Sequence, residues 1–185
     1  MKRYFSMDGE FSGLDHTKYD LISIGLLEVK YENGKYIPDY NRRFYLELKP
    51  MHDVFEPSAM EINGLNFANL YRYGSGPKEA CRQIIKYLDL KENDEAIFIG
   101  YCNTLDKIYT DQLFLAAGVE NPFNYETIEI SSLAIGKLDL EWGFSESELE
   151  KLLNIDPMDD TKKHNALEDA IHQSEEFCKL MNLKR

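Results

Sequence analysis

Two acidic residues near the start of the chain, Asp8 and Glu10, stand two positions apart. On a β-strand, residues at this spacing point to the same face. At a separation of about 6 Å and an effective dielectric of about 20, two carboxylates repel each other by about 2–3 kcal/mol. An apolar strand tolerates the pair when a cation lies beside it, and Mg²⁺ prefers carboxylate oxygens, water and phosphate. The spacing alone is therefore compatible with two arrangements, a solvated strand end and a divalent-metal site.

A second chemically suggestive segment, HNALED (164–169), begins the last predicted helix. Within a continuous helix His164 and Asp169 would lie about 140° apart. They converge only if His164 precedes the first turn, and Lys162 and Lys163 are typical of a loop there. Asp169 would then join the carboxylates, with the histidine at their rim. The alternative is the solvated face of an ordinary amphipathic helix.

These motifs resemble those of the DEDDh 3′–5′ exonucleases, the family of DNA polymerase proofreading subunits, ribonuclease T and oligoribonuclease. The segment MDGEFSGLD (7–15) is similar to their first motif, and most similar to its oligoribonuclease version. HNALEDA (164–170) matches the third motif, H-x-A-x-x-D-A, at every defined position. PSAMEINGL (57–65) resembles the family segment that lies beside the substrate. The three segments occur in the family's order and are spread over nearly the whole length of the chain.

The middle motif departs from the family pattern, which places an aromatic residue and an aspartate on the helix after strand four. Asp106 and Tyr109 fit this pattern if Leu105 replaces the first aromatic residue. Asp111 fits locally as D-x-x-F-L but lies a full turn further along. Asp106 is preferred because the first helical turn still reaches the carboxyl edge of the sheet, which leaves Asp111 as a solvated acid.

The resemblance implies an active site of four acids and one histidine. Asp8, Glu10, Asp106 and Asp169 would hold two divalent ions, Mg²⁺ or Mn²⁺, and His164 would take the proton of the attacking water. The implied reaction releases nucleoside 5′-monophosphates from the 3′ end of single-stranded or short nucleic acid, RNA or DNA. The implied substrate contacts are Phe11, Ser12, Leu14, Ala59 and Asn63. For Phe11 and Leu14, packing in the core is the alternative.

The irregular middle motif also allows a protein of a different class, a catalytically weak or inactive nucleic-acid-binding module on the same fold. If neither Asp106 nor Asp111 reached the site, the second ion would be lost. The family resemblance alone also allows a homodimer.

Length and composition, with 43% hydrophobic and 29% charged residues, favour a single globular domain over residues 1–185, and the resemblance implies that it is an exonuclease domain. No apolar run approaches the roughly 20 residues that span a bilayer. Asp8 and Glu10 interrupt any signal peptide, so we expect a cytoplasmic location. The net charge of −12 disfavours a broad phosphate-binding surface. It is compatible with an enzyme that takes one chain end into a metal-lined pocket.

The elements that would position these residues follow from hydrophobic periodicity, an Asn33-Gly34 hairpin turn and a capping box at Ser145. Strands are predicted at 3–9, 20–31, 35–48, 96–100 and 127–130. Helices are predicted at 58–63, 77–89, 104–117, 145–153 and 164–181. A meander followed by alternating helices and strands predicts an α/β fold with strands one, four and five parallel. The resemblance implies a ribonuclease H-like mixed five-stranded sheet flanked by helices.

Two residues outside the motifs also receive predictions. Trp142, with Phe144, is predicted to anchor the core rather than to stack on bases, and His172 is predicted to be solvated on the last helix.

Overall fold

A mixed five-stranded sheet forms the centre of the computed structural model, which describes residues 1–183. Its strands are β1 (Lys2–Phe11), β2 (Leu21–Glu32), β3 (Lys35–Glu47), β4 (Glu95–Gly100) and β5 (Phe123–Glu129). They are ordered β3-β2-β1-β4-β5. β1 is antiparallel to β2 and parallel to β4, and β5 is parallel to β4. The predicted α/β class and the three parallel strands are confirmed.

Helices cover both faces of the sheet. They are α1 (Pro57–Asn63), α2 (Phe67–Tyr73), α3 (Pro77–Leu88), α4 (Thr104–Ala117), α5 (Ile130–Leu138), α6 (Glu146–Leu153) and α7 (Ala166–Asn182). The five predicted helices are present, and the capping box between Ser145 and Glu148 is formed. The helices α2 and α5 were not predicted. None of the helices in residues 1–183 combines the length and apolar content that crossing a bilayer requires.

The last strand ends earlier than predicted. Residues 127–130 were expected to form it, but β5 spans Phe123–Glu129 and Ile130 begins α5. The Glu129 carboxylate accepts hydrogen bonds from the backbone N–H groups of Ser131, at 3.0 Å, and Ser132, at 2.6 Å. An acidic N-cap therefore converts a β-like apolar run into the start of a helix.

Two hydrophobic clusters, one on each face of the sheet, form the core. The first lies between the sheet and the helices α3 and α4, and it includes Met7 of β1. The second lies under α5, α6 and α7, where Tyr4 of β1 packs against Phe177. Alternate residues of β1 therefore face opposite layers. The even-numbered residues face α7 and the odd-numbered residues face α4.

Two side chains differ from their predictions. Trp142 is 85% exposed in the connection between α5 and α6, whereas Phe144 packs against the second cluster. Asp139 and Gly143, on either side of the tryptophan, have positive φ angles, and these turns carry it out of the core. His172 is buried rather than solvated because α6 covers this side of α7.

Glycine is required where β2 meets the start of α7. A Cβ atom on Gly25 would lie 2.1 Å from the carbonyl oxygen of Ala166 and 2.4 Å from the backbone nitrogen of Leu167. Gly25 also pairs with Asp8 across the sheet. The missing side chain therefore lets α7 begin directly beside the acidic end of β1.

We predict that Gly25→Ala lowers the free energy of unfolding by about 3 kcal/mol, because the methyl group overlaps the α7 backbone. Urea denaturation monitored by circular dichroism measures the loss. Gly136→Ala on α5 is the control, since a Cβ there meets nothing within 4 Å. That change should stabilise the protein by up to about 1 kcal/mol through helix propensity. Equal stability of Gly25→Ala and wild type would contradict the close approach.

Candidate metal centre

The acidic pair lies on a part of β1 that extends past its parallel neighbour. Pairing between β1 and β4 ends at Ser6 and Ile99, while pairing with β2 continues through Asp8 and Glu10. Both acids therefore lie beyond the carboxyl end of β4. This edge of a parallel sheet is the usual location of ligand sites in α/β folds.

The helix α7 brings a third acid to this edge. Asn165 caps the helix through its side-chain oxygen, which accepts hydrogen bonds from the backbone N–H groups of the residues at 167 and 168. Asp169 follows in the first turn. One carboxylate oxygen from each of Asp8, Glu10 and Asp169 lies within 4.8 Å of the other two.

The fourth predicted acid approaches from the opposite face of β1. Asp106, in the first turn of α4, is buried, and a Cβ atom on Gly9 would lie 3.2 Å from its Oδ1. Burial is the largest cause of the raised pKa of Asp8, and the charge of Asp106 raises that pKa further. Asp111 is exposed instead, and its Oδ1 accepts hydrogen bonds from Lys107 and Asn121, both at 2.6 Å. The structure thus brings Asp106, rather than Asp111, to the other acids.

The acid cluster carries more negative charge than the surrounding side chains offset. Burial raises the pKa of Asp8 well above its usual range, and the charges of Asp106, Asp169 and Glu10 raise it further. Burial, then the charges of Asp169 and Asp106, raises the pKa of Glu10 to about 8. Burial also raises the pKa of Asp106 to about 7 and that of Asp169 to about 6.

Among residues 1–183, the groups that lower the pKa values of these four acids are a glutamine, backbone hydrogen bonds and histidines. No lysine or arginine is among them. The cluster therefore lacks a strong resident cation. Its donor set, all carboxylate oxygens, suits a hard divalent ion such as Mg²⁺ or Mn²⁺.

His164 stands at the rim of this cluster. It precedes the first turn of α7, as its spacing from Asp169 predicted, and it is exposed with a φ angle of 61°. Burial is the largest influence on the pKa of Asp169, and the charge of His164 opposes it. The imidazole is therefore close enough to the acids to interact with them, while it remains accessible to solvent.

Gln173 is a residue of this centre that the motifs did not identify. Its Nε2 donates to Asp8 Oδ1 at 2.8 Å, and its Oε1 accepts from the backbone N–H of Tyr101 at 2.9 Å. The glutamine therefore fixes one of the acids and ties it to the loop before α4. Its spacing of four residues from Asp169, which places both on one helix face, was the available signal.

Two of the predicted substrate contacts follow the acids along the chain, Phe11 at the end of β1 and Leu14 in the loop after it. Phe11 is half-buried and stacks on Tyr109 of α4, with ring centroids 4.4 Å apart and an interplanar angle of 18°. Leu14 is 66% exposed. The phenylalanine is thus partly a packing residue, while the leucine presents an apolar side chain to solvent.

Ser12, the third of these predicted substrate contacts, has a fully buried side chain in the structure. Its Oγ accepts a hydrogen bond from the backbone N–H of Asp20 at 2.9 Å, and its carbonyl oxygen accepts from that of Glu56 at 2.7 Å. Ser12 therefore connects the loop after β1 to the segment before α1.

Ala59 and Asn63 lie on α1, and both are half-buried. The Nδ2 of Asn63 donates to the carbonyl oxygen of Phe11 at 3.3 Å. Its Oδ1 accepts from the backbone N–H of Leu65 at 3.0 Å. This helix thus packs beside the strand that carries the acids.

Comparison with known proteins gives relatives that align along most of both chains. No protein-family model matches the chain. The chain is 30% identical over 177 residues to the 3′–5′ DNA exonuclease Cap18 of Escherichia coli. This alignment covers 94% of the chain and 89% of Cap18. Ribonuclease T of Baumannia cicadellinicola subsp. Homalodisca coagulata is 24% identical, over 95% of this chain and 82% of that protein.

A solved structure shows the same fold. E. coli exonuclease I in complex with a dT13 oligonucleotide superimposes with a TM-score of 0.69 at 15% identity. The match covers 94% of this chain but spans 40% of the exonuclease I chain. At this level of identity, the similarity is evidence for the fold alone.

We predict that the metal-free protein loses stability as the pH rises from about 4.5 to about 8. Glu10 keeps its proton in the folded state up to about pH 8, whereas the ordinary value is 4.5, so the folded state binds more protons between these limits. Glu10→Gln removes the contribution of Glu10 to this loss. It should raise the free energy of unfolding in EDTA at pH 8 by about 2 kcal/mol.

The control for this experiment is Asp111→Asn, which removes the same charge outside the cluster and should change the stability by less than about 0.5 kcal/mol. Urea denaturation at pH 5 and pH 8, with and without added Mg²⁺, measures both variants. If Glu10→Gln gives no gain over wild type at pH 8, the carboxylates are not crowded as described.

Proposed function

Since the chain belongs to the DEDDh 3′–5′ exonuclease superfamily, we propose that it hydrolyses the terminal phosphodiester bond of single-stranded or short nucleic acid. A 3′–5′ exonuclease activity follows from the family, and the proposed products are nucleoside 5′-monophosphates. The convergence of Asp8, Glu10 and Asp169, with Asp106 beside them, carries this proposal. It gathers acids from three separate elements at one sheet edge.

Divalent-metal dependence accompanies the family, and the number and kind of ions are part of the proposal. We assign Asp8, Glu10, Asp106 and Asp169 as the residues that would hold two ions, Mg²⁺ or Mn²⁺. Bound ions would neutralise the terminal phosphate and make the attacking water more acidic. The raised pKa values of these acids support the assignment, because the metal-free cluster is electrostatically unfavourable.

His164 is proposed as the general base that takes a proton from the attacking water. Its exposed position ahead of α7 and its interaction with Asp169 support this role. Gln173 is proposed as a positioning residue, since its amide holds the Asp8 carboxylate at 2.8 Å without being an acid or base itself.

We propose single-stranded DNA ends as the preferred substrate. The relative that is 30% identical is named a DNA exonuclease, and the superimposed exonuclease I structure contains dT13. The net charge of −12 disfavours gripping a long duplex. RNA ends are the second candidate, favoured by the 24% identity to ribonuclease T. Rates on matched 5′-labelled single-stranded DNA, RNA and duplex DNA decide between them, and a preference for long duplex DNA would overturn both.

We also propose that residues 1–185 act as one exonuclease domain, because both hydrophobic clusters of residues 1–183 lie on faces of one sheet. Lys184 and Arg185 lie outside the described residues. The homodimer allowed by family resemblance remains a proposal, and light scattering tests it.

We predict that Asp8→Asn and Asp169→Asn abolish the shortening of a 5′-labelled single-stranded oligonucleotide in Mg²⁺, because each removes a charge that the ions require. Loss of one catalytic group typically costs at least about 100-fold in rate. Asp106→Asn should behave in the same way, while Asp111→Asn is the matched control and should keep wild-type activity. EDTA should stop the wild-type reaction, and added Mn²⁺ should restore it.

Circular dichroism is the check that each of these variants still folds. If cleavage survives both Asp8→Asn and Asp169→Asn, the assignment is rejected. If wild type binds the oligonucleotide without shortening it in either metal, the protein is the non-catalytic binding module.

We predict that Leu14→Ala weakens substrate binding, because this exposed side chain is proposed to contact the terminal bases. The KM for single-stranded DNA should rise about fivefold, equivalent to about 1 kcal/mol of lost apolar contact, with kcat nearly unchanged. Leu115→Ala is the control, since Leu115 is a similarly exposed leucine near the C-terminal end of α4, whereas Asp106 lies in the first turn of that helix. Equal KM values for the two variants would remove Leu14 from the substrate site.

A further inference from the structure

A second cluster of ligand-type side chains lies further along α7, where α6 packs against it. One ring nitrogen of His172 and one carboxylate oxygen from each of Glu146 and Glu176 lie within 4.8 Å of one another. Glu146 is in the first turn of α6, and the other two residues are one turn apart on α7. None of the three belongs to the acid cluster of the proposed exonuclease site.

Glu176 has no hydrogen-bonding partner in the described structure. Its side chain is fully buried, and neither carboxylate oxygen receives a hydrogen bond from residues 1–183. Burying an unpaired polar group or charge is costly, so buried carboxylates are normally hydrogen-bonded, paired or bound to a metal. One of its oxygens instead lies within 4.8 Å of a ring nitrogen of His172 and of a carboxylate oxygen of Glu146, and both are groups that bind cations.

The histidine of this cluster is oriented by another carboxylate. Its Nε2 lies 2.9 Å from Oε1 of Glu150, which is also buried. When Nε2 donates to this carboxylate, Nδ1 keeps a free lone pair. Metal-binding histidines are commonly oriented in this way, by a carboxylate that accepts the N–H of the nitrogen that does not bind the metal.

Charge balance points in the same direction. Three carboxylates, those of Glu146, Glu150 and Glu176, surround one imidazole, and no lysine or arginine of residues 1–183 forms a salt bridge with any of the three. Even a protonated imidazole would leave the group negative if all three acids were ionised. A bound divalent cation would offset this charge and would give Glu176 the partner it lacks.

We propose that Glu146, His172 and Glu176 bind one transition-metal cation of the Zn²⁺ type, which links α6 to α7. Imidazole nitrogen and carboxylate oxygen are both ligands that Zn²⁺ accepts, and three protein ligands leave the fourth position of a tetrahedral site open. Mg²⁺ fits less well, because it requires six ligands in near-octahedral geometry and prefers oxygen donors. This site is separate from the proposed exonuclease centre, and its occupancy does not depend on that function.

Co²⁺ is the probe for this site, because it replaces Zn²⁺ and absorbs visible light far more strongly with four ligands than with six. We would titrate Co²⁺ into the full chain in excess Mg²⁺ and record absorbance together with the melting temperature. The double variant Asp8→Asn/Glu10→Gln removes the first cluster and should keep the intense absorption. This separates failure at one site from failure at the other.

Glu176→Gln and Glu146→Gln should each weaken Co²⁺ binding by at least about tenfold and abolish the rise in melting temperature. Glu146 is exposed, so its variant tests the site even if the buried substitution prevents folding. Glu175→Gln is the matched control, since this neighbouring glutamate accepts a hydrogen bond from the Tyr40 hydroxyl at 2.6 Å and lies outside the cluster.

The proposal predicts intense absorption in wild type, in Glu175→Gln and in the double variant, and its loss in Glu146→Gln. Wild-type protein without intense absorption would overturn it. So would a Glu146→Gln protein that binds Co²⁺ as tightly as Glu175→Gln. Absorption lost in Asp8→Asn/Glu10→Gln but kept in Glu146→Gln would place the ion in the first cluster and also reject the second site.

Discussion

Mutual repulsion among carboxylates is the constraint on which the rest of this structure depends. Asp8, Glu10 and Asp169 approach within 4.8 Å in a partly buried setting, and burial and neighbouring charge hold their pKa values above the usual range. Such an arrangement is locally unfavourable. It forms because the sheet and α7, docked through the close approach at Gly25, hold the three side chains in place.

The alternation of side chains along β1 explains how two layers of helices supply one site. Even-numbered residues of the strand face α7, which contributes Asp169 and the glutamine that holds Asp8. Odd-numbered residues face α4, where Asp106 lies against Gly9. Because β1 runs past the end of β4, both helices can begin beside it. The fold therefore gathers acids from distant parts of the sequence without a long loop.

The sequence predicted those features that depend on local spacing. The same-face pair on β1, the placement of His164 ahead of α7 and the preference for Asp106 all follow from strand and helix periodicity, and the structure has this geometry. Features that depend on tertiary partners were not predictable in this way. The motif alone could not indicate that the hydroxyl of Ser12 would bond to the backbone of Asp20.

The same distinction between local spacing and tertiary partners explains where the structure differs from the predictions in the second half of the chain. An isoleucine-rich run resembled a strand, but the acidic cap at Glu129 begins a helix within it. Trp142 has a large apolar side chain that is typical of a core residue, but the positive φ angles on either side of it turn it to the surface. His172 had the position of a solvated residue, but α6 covers it. Each outcome depends on a neighbour that is remote in sequence or on a backbone turn.

Anomalous diffraction from crystals of the protein grown with Mn²⁺ tests whether these carboxylates hold a divalent ion. Scattering by Mn²⁺ locates the ion independently of any assumption about the protein. If these acids hold the ion, we expect anomalous density bounded by the carboxylates of Asp8, Glu10 and Asp169. Fully ordered carboxylates with no anomalous density between them, at Mn²⁺ concentrations that support the reaction, would contradict it.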